Sequence, residues 1–292
     1  MIIINYLLLG LIWLISRLPF SLLYFFSDIN FFFIYHVFGY RRKVVRVNLC
    51  NSFPEKSDKE IVSLEKKFYH HLCDLLMEIL KIRGISKKQL LKRVHFKNTE
   101  LLDELYEKGK SIIAVTGHLG NWEWTGMALP FNTKHKVFAL VKPLSNEFLD
   151  KYMYKLRTRF AEDGPVPFKQ AFRVIVKHKN IPTCSLLASD QTPTKGEIEY
   201  WTTFMNQETP VFLGTEKMAR ALNFEILFFP IRIIKRGYYE VEISKMFENP
   251  KGTVDFEITE KHTRLLEEFI FKNPENWLWS HRRWKHKRSE IE

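Results

Sequence analysis

His118 and Glu123 stand in the one stretch of the chain whose residue types and spacing suggest acid–base chemistry. It reads Gly117-His118-Leu119-Gly120-Asn121-Trp122-Glu123, with Gly126 just beyond. Glycine is scarce elsewhere: there are 12 in 292 residues, where about 7% is usual, yet three fall here. Glycine permits turn geometries and lets a substrate approach the backbone. Imidazole accepts a proton near neutral pH without a large environmental shift. Glu123 lies too far along for both side chains to share one face of a continuous helix. With His118 in a turn and Glu123 in the first turn of a following helix, the carboxylate can fold back onto one ring nitrogen. It would fix the tautomer and leave the other nitrogen to take a proton from an alcohol. No G-x-S-x-G, H-E-x-x-H, Walker loop or G-x-G-x-x-G occurs, so the hydroxyl to be activated is expected on a substrate. A satisfied loop histidine beside a glutamate favouring the helix dipole is the plainer alternative. The glycines and the strand-end position weigh against it.

Those side chains need a scaffold. Residues 111–116 (SIIAVT) form a short apolar run bounded by turn residues, as a buried strand does. Further strands are expected at 136–141, 183–189, 225–234 and 238–244, with Lys235-Arg236-Gly237 as a hairpin turn. Ser57-Asp58-Lys59-Glu60 has the S-x-x-E capping-box form. Behind it Ile61, Leu64, Phe68, Leu72, Leu75 and Ile79 recur at helical steps toward Gly84. Helices are also expected at 98–108, from Trp122, over 148–160, at 214–222 and at 259–272. Alternating strands and helices predict an α/β fold: a central, mostly parallel sheet with flanking helices and an antiparallel edge. Ligand sites in such sheets lie at the carboxyl ends of the strands, which is where His118 falls. His70, His71 and Cys73 share the long helix but lack further ligands nearby, so no metal site is expected.

Residues 1–40 carry only two formal charges, Arg17 and Asp28, among Ile, Leu, Phe and Tyr. The run has no basic leading region or small-residue cleavage site, which argues against a cleaved signal. Pro19, Asp28 and Asn30 interrupt it. A tilted span or two interfacial helices would fit, and so, less well, would a pair of core helices. The expected division is an anchoring segment over 1–40 and a single catalytic-type domain over 41–292. Arg41-Arg42-Lys43-Val44-Val45-Arg46 follows directly and suits anionic head groups on the cytoplasmic face. Mean hydropathy of −0.21 excludes a multi-spanning protein. Three scattered cysteines exclude a disulfide framework. The balance of 45 Lys+Arg against 33 Asp+Glu, net +12, points to an anionic partner, and no nucleic-acid motif accompanies it.

His118-Leu119-Gly120-Asn121-Trp122-Glu123 closely resembles the H-x4-D/E motif of the lysophospholipid acyltransferase superfamily, in the form carried by the lipid A biosynthesis acyltransferases that add late, secondary acyl chains. The resemblance continues in order along the chain. It takes in Arg41 through Leu49 with Phe53-Pro54-Glu55-Lys56, then Ala188-Ser189-Asp190-Gln191. It ends with Phe204-Met205-Asn206 through Gly214 and Ala219, and Trp279-Ser280-His281-Arg282-Arg283-Trp284-Lys285. Lys142-Pro143 stands where many members have Arg-Pro, and lysine is a point charge without arginine's fork.

The resemblance implies a glycerolipid-acyltransferase-like fold and transfer of a fatty acyl group from a thioester to a lipid hydroxyl. The donor would be acyl carrier protein or coenzyme A, a co-substrate with no bound cofactor. The acceptor would be an anionic lipid A precursor at the inner membrane, met from the cytoplasmic face. His118 would be the base and Glu123 its orienter. Asn121, Lys142, Arg173, Asp190 and Gln191 would contact substrate, and the helix start at 121–123 with Lys142 would steady the oxyanion. Arg157, Arg159, Arg282, Arg283, Lys285, Lys287 and Arg288 are further candidates for phosphate or carboxylate contacts, although each taken singly reads more readily as a solvated surface charge. Trp201, Trp277, Trp279 and Trp284 suit either a membrane interface or core packing. Another lipid acceptor, a non-enzymatic basic membrane protein and a metal-dependent hydrolase are the competing classes.

Overall fold

The computed structural model describes residues 2–161 and 163–291. The apolar start forms α1 (Ile2–Arg17) and α2 (Phe20–Phe31), separated at Pro19. A wide helical turn over Phe32–Val37 continues α2 before Gly39 and Arg41, both at positive φ, redirect the chain. After α3 (Arg42–Ser52) comes α4 (Asp58–Lys81), opened by the Ser57/Glu60 capping box expected from sequence. α5 (Lys87–Leu91), β1 (Val94–Lys97) and α6 (Glu100–Glu107) lead into β2 (Ile112–Thr116).

The alternating core then runs α7 (Trp122–Ala128), β3 (Lys136–Val141), α8 (Glu147–Arg157), β4 (Val166–Pro167), α9 (Ala171–Lys177) and β5 (Thr183–Ala188). It is followed by β6 (Tyr200–Phe204), β7 (Gln207–Val211), α10 (Gly214–Leu222), β8 (Glu225–Phe228), β9 (Ile231–Lys235), β10 (Tyr238–Glu242) and β11 (Ser244–Phe247). α11 (Glu257–Lys272) is the last α-helix.

Six strands form the main sheet in the order β11-β8-β2-β5-β3-β4, parallel except for β11 at one edge. The inner strands β2, β5 and β8 are buried along nearly their whole length because both faces are covered. Ile113, Val115 and Ile226 face α9 and α10, whereas Ile112, Ala114 and Leu227 face the cluster built on α4 and α7. The strand expected over 225–234 is two strands in two sheets. Proline lacks a ladder N–H, and at Pro230 the chain leaves the main sheet for the three-stranded β1-β10-β9 sheet. The hairpin turn at Arg236-Gly237 joins β9 to β10, with Gly237 at φ +73°.

Residues 1–40 do not stand apart from the rest. Leu23, Ser27 and Tyr35 are buried, while Leu14, Phe25, Phe32 and Phe38 remain exposed on the outer side. Trp277 and Trp279 are core residues, fully covered and ring-to-edge at 4.7 Å. Trp284 packs against Trp277 and donates to Thr209, so the interfacial option does not hold for these three.

Candidate active site

Strand register assembles the centre. β2 and β5 are parallel neighbours with Thr116 opposite Ala188, and the Ser189 N–H extends the ladder to the Thr116 carbonyl. Two residues further on, the chains carry His118 and Asp190 side by side. The Asp190 carboxylate accepts from the His118 backbone N–H at 2.8 Å, from His118 Nδ1–H at 2.6 Å and from the Trp277 indole at 2.8 Å. Gly117 permits this approach: a Cβ there would meet Leu266 at 2.9 Å and Asp190 Oδ2 at 3.2 Å. Gly120 makes the turn at φ +48°, where a side chain would crowd Ile231 and Tyr239.

The contacts fix the tautomer. A carboxylate only accepts, so the ring proton sits on Nδ1. Gln191 Nε2 lies 3.1 Å from His118 Nε2 and donates to its lone pair. That lone pair can act as a base once a hydroxyl takes the place of the Gln191 amide. Burial works against a charged ring, but the charge and hydrogen bond of Asp190, helped by Glu123, outweigh it. The net effect is a His118 proton affinity above the ordinary imidazole value. Burial would raise Asp190, yet His118 and the donors around the carboxylate hold it below the usual carboxylate range.

Glu123 does not fold back onto His118. It faces α8, where Arg157 binds it through both nitrogens, Nε at 2.9 Å and Nη2 at 2.5 Å. A planar fork on a carboxylate is a stronger, charge-assisted arrangement than a neutral imidazole provides. The orienting carboxylate beside the ring is therefore Asp190, which the sequence reading placed against substrate. Glu123 acts on the ring only through its charge.

His118, Glu123, Arg157, Lys142 and Gln191 are among the residues lining a cleft of about 620 Å³. Its walls include Met127, Val137, Ala139, Leu140, Leu186 and Leu187, from α7, β3 and β5. Trp122 packs edge-on against the His118 ring, with centroids 5.0 Å apart. Of the expected substrate contacts, Lys142 and Gln191 reach the cleft. Asn121 does not: it is fully buried, its Oδ1 caps the Trp124 N–H at 2.9 Å, and its amide donates to Glu78. Arg173 does not either, because it projects to solvent from α9 and is absent from the cleft lining. Asp190 is spent on His118 and Trp277.

Several other candidates serve structure. Arg283 is buried and donates to the Pro210 carbonyl, and Arg159 donates to the Ile82 carbonyl. His71 donates to the Gly120 carbonyl at 3.2 Å, and His70 stacks on Phe31. Among the described residues, no group of three or more His, Cys, Asp or Glu side chains is placed to hold a metal ion. Arg157 as the partner of Glu123 went unread, since a residue on a separate helix carries no local signal of that pairing.

A family model described as bacterial lipid A biosynthesis acyltransferase matches residues 1–286. The lipid A biosynthesis acyltransferase 2 of Shigella flexneri is 24% identical over 248 residues, covering 82% of this chain and 75% of that protein.

Proposed function

The chain belongs to the bacterial lipid A biosynthesis acyltransferase family and is an acyltransferase; we propose that it moves a fatty acyl group from an acyl carrier protein thioester to a hydroxyl of a lipid A precursor. His118 Nε2 takes the hydroxyl proton, and the alkoxide attacks the thioester carbonyl. The tetrahedral intermediate then collapses, the C–S bond breaks, and the imidazolium returns its proton to the leaving thiolate. Asp190 holds the Nδ1–H tautomer and stabilises the imidazolium, as an orienting carboxylate does in a triad. Lys142 lines the same cleft as His118 and stands for the cation that offsets the oxyanion charge. The Glu123–Arg157 pair forms the cleft wall beside the ring. The thioester is a co-substrate, and no cofactor is assigned.

One observation carries this reading: a histidine with a carboxylate on Nδ1 that lines a largely apolar cleft. The apolar walls suit a fatty chain, and the +12 charge suits an anionic acceptor and an acidic carrier. Exposed Leu14, Phe25, Phe32 and Phe38 support contact with the cytoplasmic face of the inner membrane. The segment Phe20–Val37 is long and apolar enough to span. Its Asp28, however, is paired with Arg236, and its Ser27 donates to Asp74. These ties favour helices lying in the interface, docked on the domain.

The test supplies purified protein with a panel of defined acceptors and one acyl thioester, and identifies products by mass spectrometry. An acylated lipid A precursor, absent with His118→Ala, is expected. Acylation of a lysophospholipid or amino-acid lipid alone would replace the acceptor. No transfer to any lipid would remove the reading.

A further inference from the structure

One side of α4 is spent on two separate parts of the molecule. Toward the amino-terminal helices, Asp74 accepts from Ser27 at 2.6 Å, and the Lys81 ammonium donates to the carbonyls of Ser16 and Leu18 at 2.7 and 2.6 Å. Toward the catalytic loop, His71 donates to the Gly120 carbonyl, and the Glu78 carbonyl accepts from the Trp124 indole. Only the Glu78 carboxylate serves both sides. Its Oε1 accepts from the Tyr24 hydroxyl of α2 at 2.7 Å. Its Oε2 accepts from Asn121 Nδ2 at 2.7 Å and from the Tyr239 hydroxyl of β10 at 2.6 Å.

Glu78 is fully buried, and the donors on its carboxylate are neutral. An acidic side chain sealed from water without a cation in contact is expensive, and packing alone would favour an apolar residue there. Geometry gives this carboxylate another use. Asn121 is the cap of α7, three residues beyond His118, and its other atom, Oδ1, holds the Trp124 N–H. A continuous path therefore runs from the Tyr24 hydroxyl through Glu78 and Asn121 to the first turn of the helix behind the base. If Tyr24 withdraws, Oε1 loses that donor, and the carboxylate, then held through Oε2 alone, can turn. The bond that fixes the cap turns with it.

We propose that Glu78 is a positioning residue that couples the seating of α2 on the domain to the geometry of the His118 loop, so that the loop keeps its working form only while α2 is docked. This rests on the reading of His118 as the general base. An enzyme whose helices meet a lipid surface would then be most active in the seated state.

The experiment uses the full chain in vesicles of defined lipid, with Tyr24→Phe, Glu78→Gln and the double variant. Tyr24→Phe keeps the ring and removes one hydroxyl. It should lower kcat about fivefold, the worth of one hydrogen bond, with KM for the acyl thioester unchanged. Amides over 117–125 should exchange with solvent faster, and the double variant should be no slower than Glu78→Gln alone. Wild-type kcat and exchange in Tyr24→Phe would overturn the coupling. A loss confined to KM, or two losses that multiply, would overturn it too. Should Glu78→Gln fail to fold, the kcat and exchange of Tyr24→Phe still decide. His118→Ala, run alongside, separates the two ideas. If it stays active, the reading of the loop fails. If it is dead while Tyr24→Phe behaves as wild type, only the coupling fails.

Discussion

Two buried carboxylates contact the His118–Asn121 loop, and their surroundings drive them in opposite directions. Asp190 and Glu78 are both sealed from water, and each accepts three hydrogen bonds. Burial raises both. For Asp190, the imidazole in contact reverses the effect and holds the carboxyl low. For Glu78, the hydrogen bonds from Tyr239, Tyr24 and Asn121 offset burial only partly and nearby Asp74 adds to it, so the carboxyl is pushed up to about 7. Equal hydrogen bonding does not make equal sites. A partner able to carry charge keeps one carboxylate ionised against the imidazole. Neutral partners make the other a structural junction.

The largest expected effect comes from removing that partner. His118→Ala should cut acyl transfer at least about 10³-fold, roughly 4 kcal/mol of transition-state stabilisation. It should also release Asp190 upward toward the behaviour of Glu78. Steady-state rates and carboxyl titration by NMR check both. Glu123→Gln should cost less, about tenfold. It weakens the Arg157 pair and lowers the His118 proton affinity modestly, while leaving the Asp190 contact in place. A rate as low as that of His118→Ala would return the orienting role to Glu123.

Glu78→Gln sharpens the other side. A carboxyl raised in the folded state binds protons that the unfolded chain has released. Wild-type stability from this group is therefore present below the unfolded value of about 4.3 and lost as pH rises to about 7. Relative to wild type, the variant should gain on the order of 3–4 kcal/mol between those limits, read from denaturant unfolding across pH. A difference that does not vary with pH would mean Glu78 titrates as an ordinary carboxyl. The smallest effect belongs to Arg173→Ala. Arg173 is solvent-facing and away from the cleft, so kcat/KM should stay within about twofold and stability within about 0.5 kcal/mol.

Local patterns in the sequence were enough to place the elements that carry the loop. The strand over Lys136–Val141 and the capped start of α4 follow from hydrophobic period and capping chemistry. The hairpin of β6 and β7 was not read, although Met205 and Asn206 both take positive φ at its turn. A methionine there gives no turn signal. The partner of His118 was hidden for a different reason. Asp190 was visible at a strand end, but only the pairing of β2 with β5 places it against the ring, and strand order is not a local property. Glu123, near in sequence, drew the expectation that Asp190, far in sequence, fulfils. Asn121 suited a substrate contact by type. Its second role, capping α7 while reaching Glu78, depends on how α4 packs.

The most direct measurement is the pH dependence of kcat/KM for wild type and Asp190→Asn. His118 must be unprotonated to act, and its proton affinity is raised. The wild-type acid limb should therefore lie above the ordinary imidazole value of about 6.5. Asp190→Asn should fall about 10³-fold, because the ring loses the carboxylate that fixes its tautomer, with the acid limb moved to lower pH. A variant with near wild-type rate and an unmoved limb would contradict the assignment of Asp190 as the carboxylate behind the base.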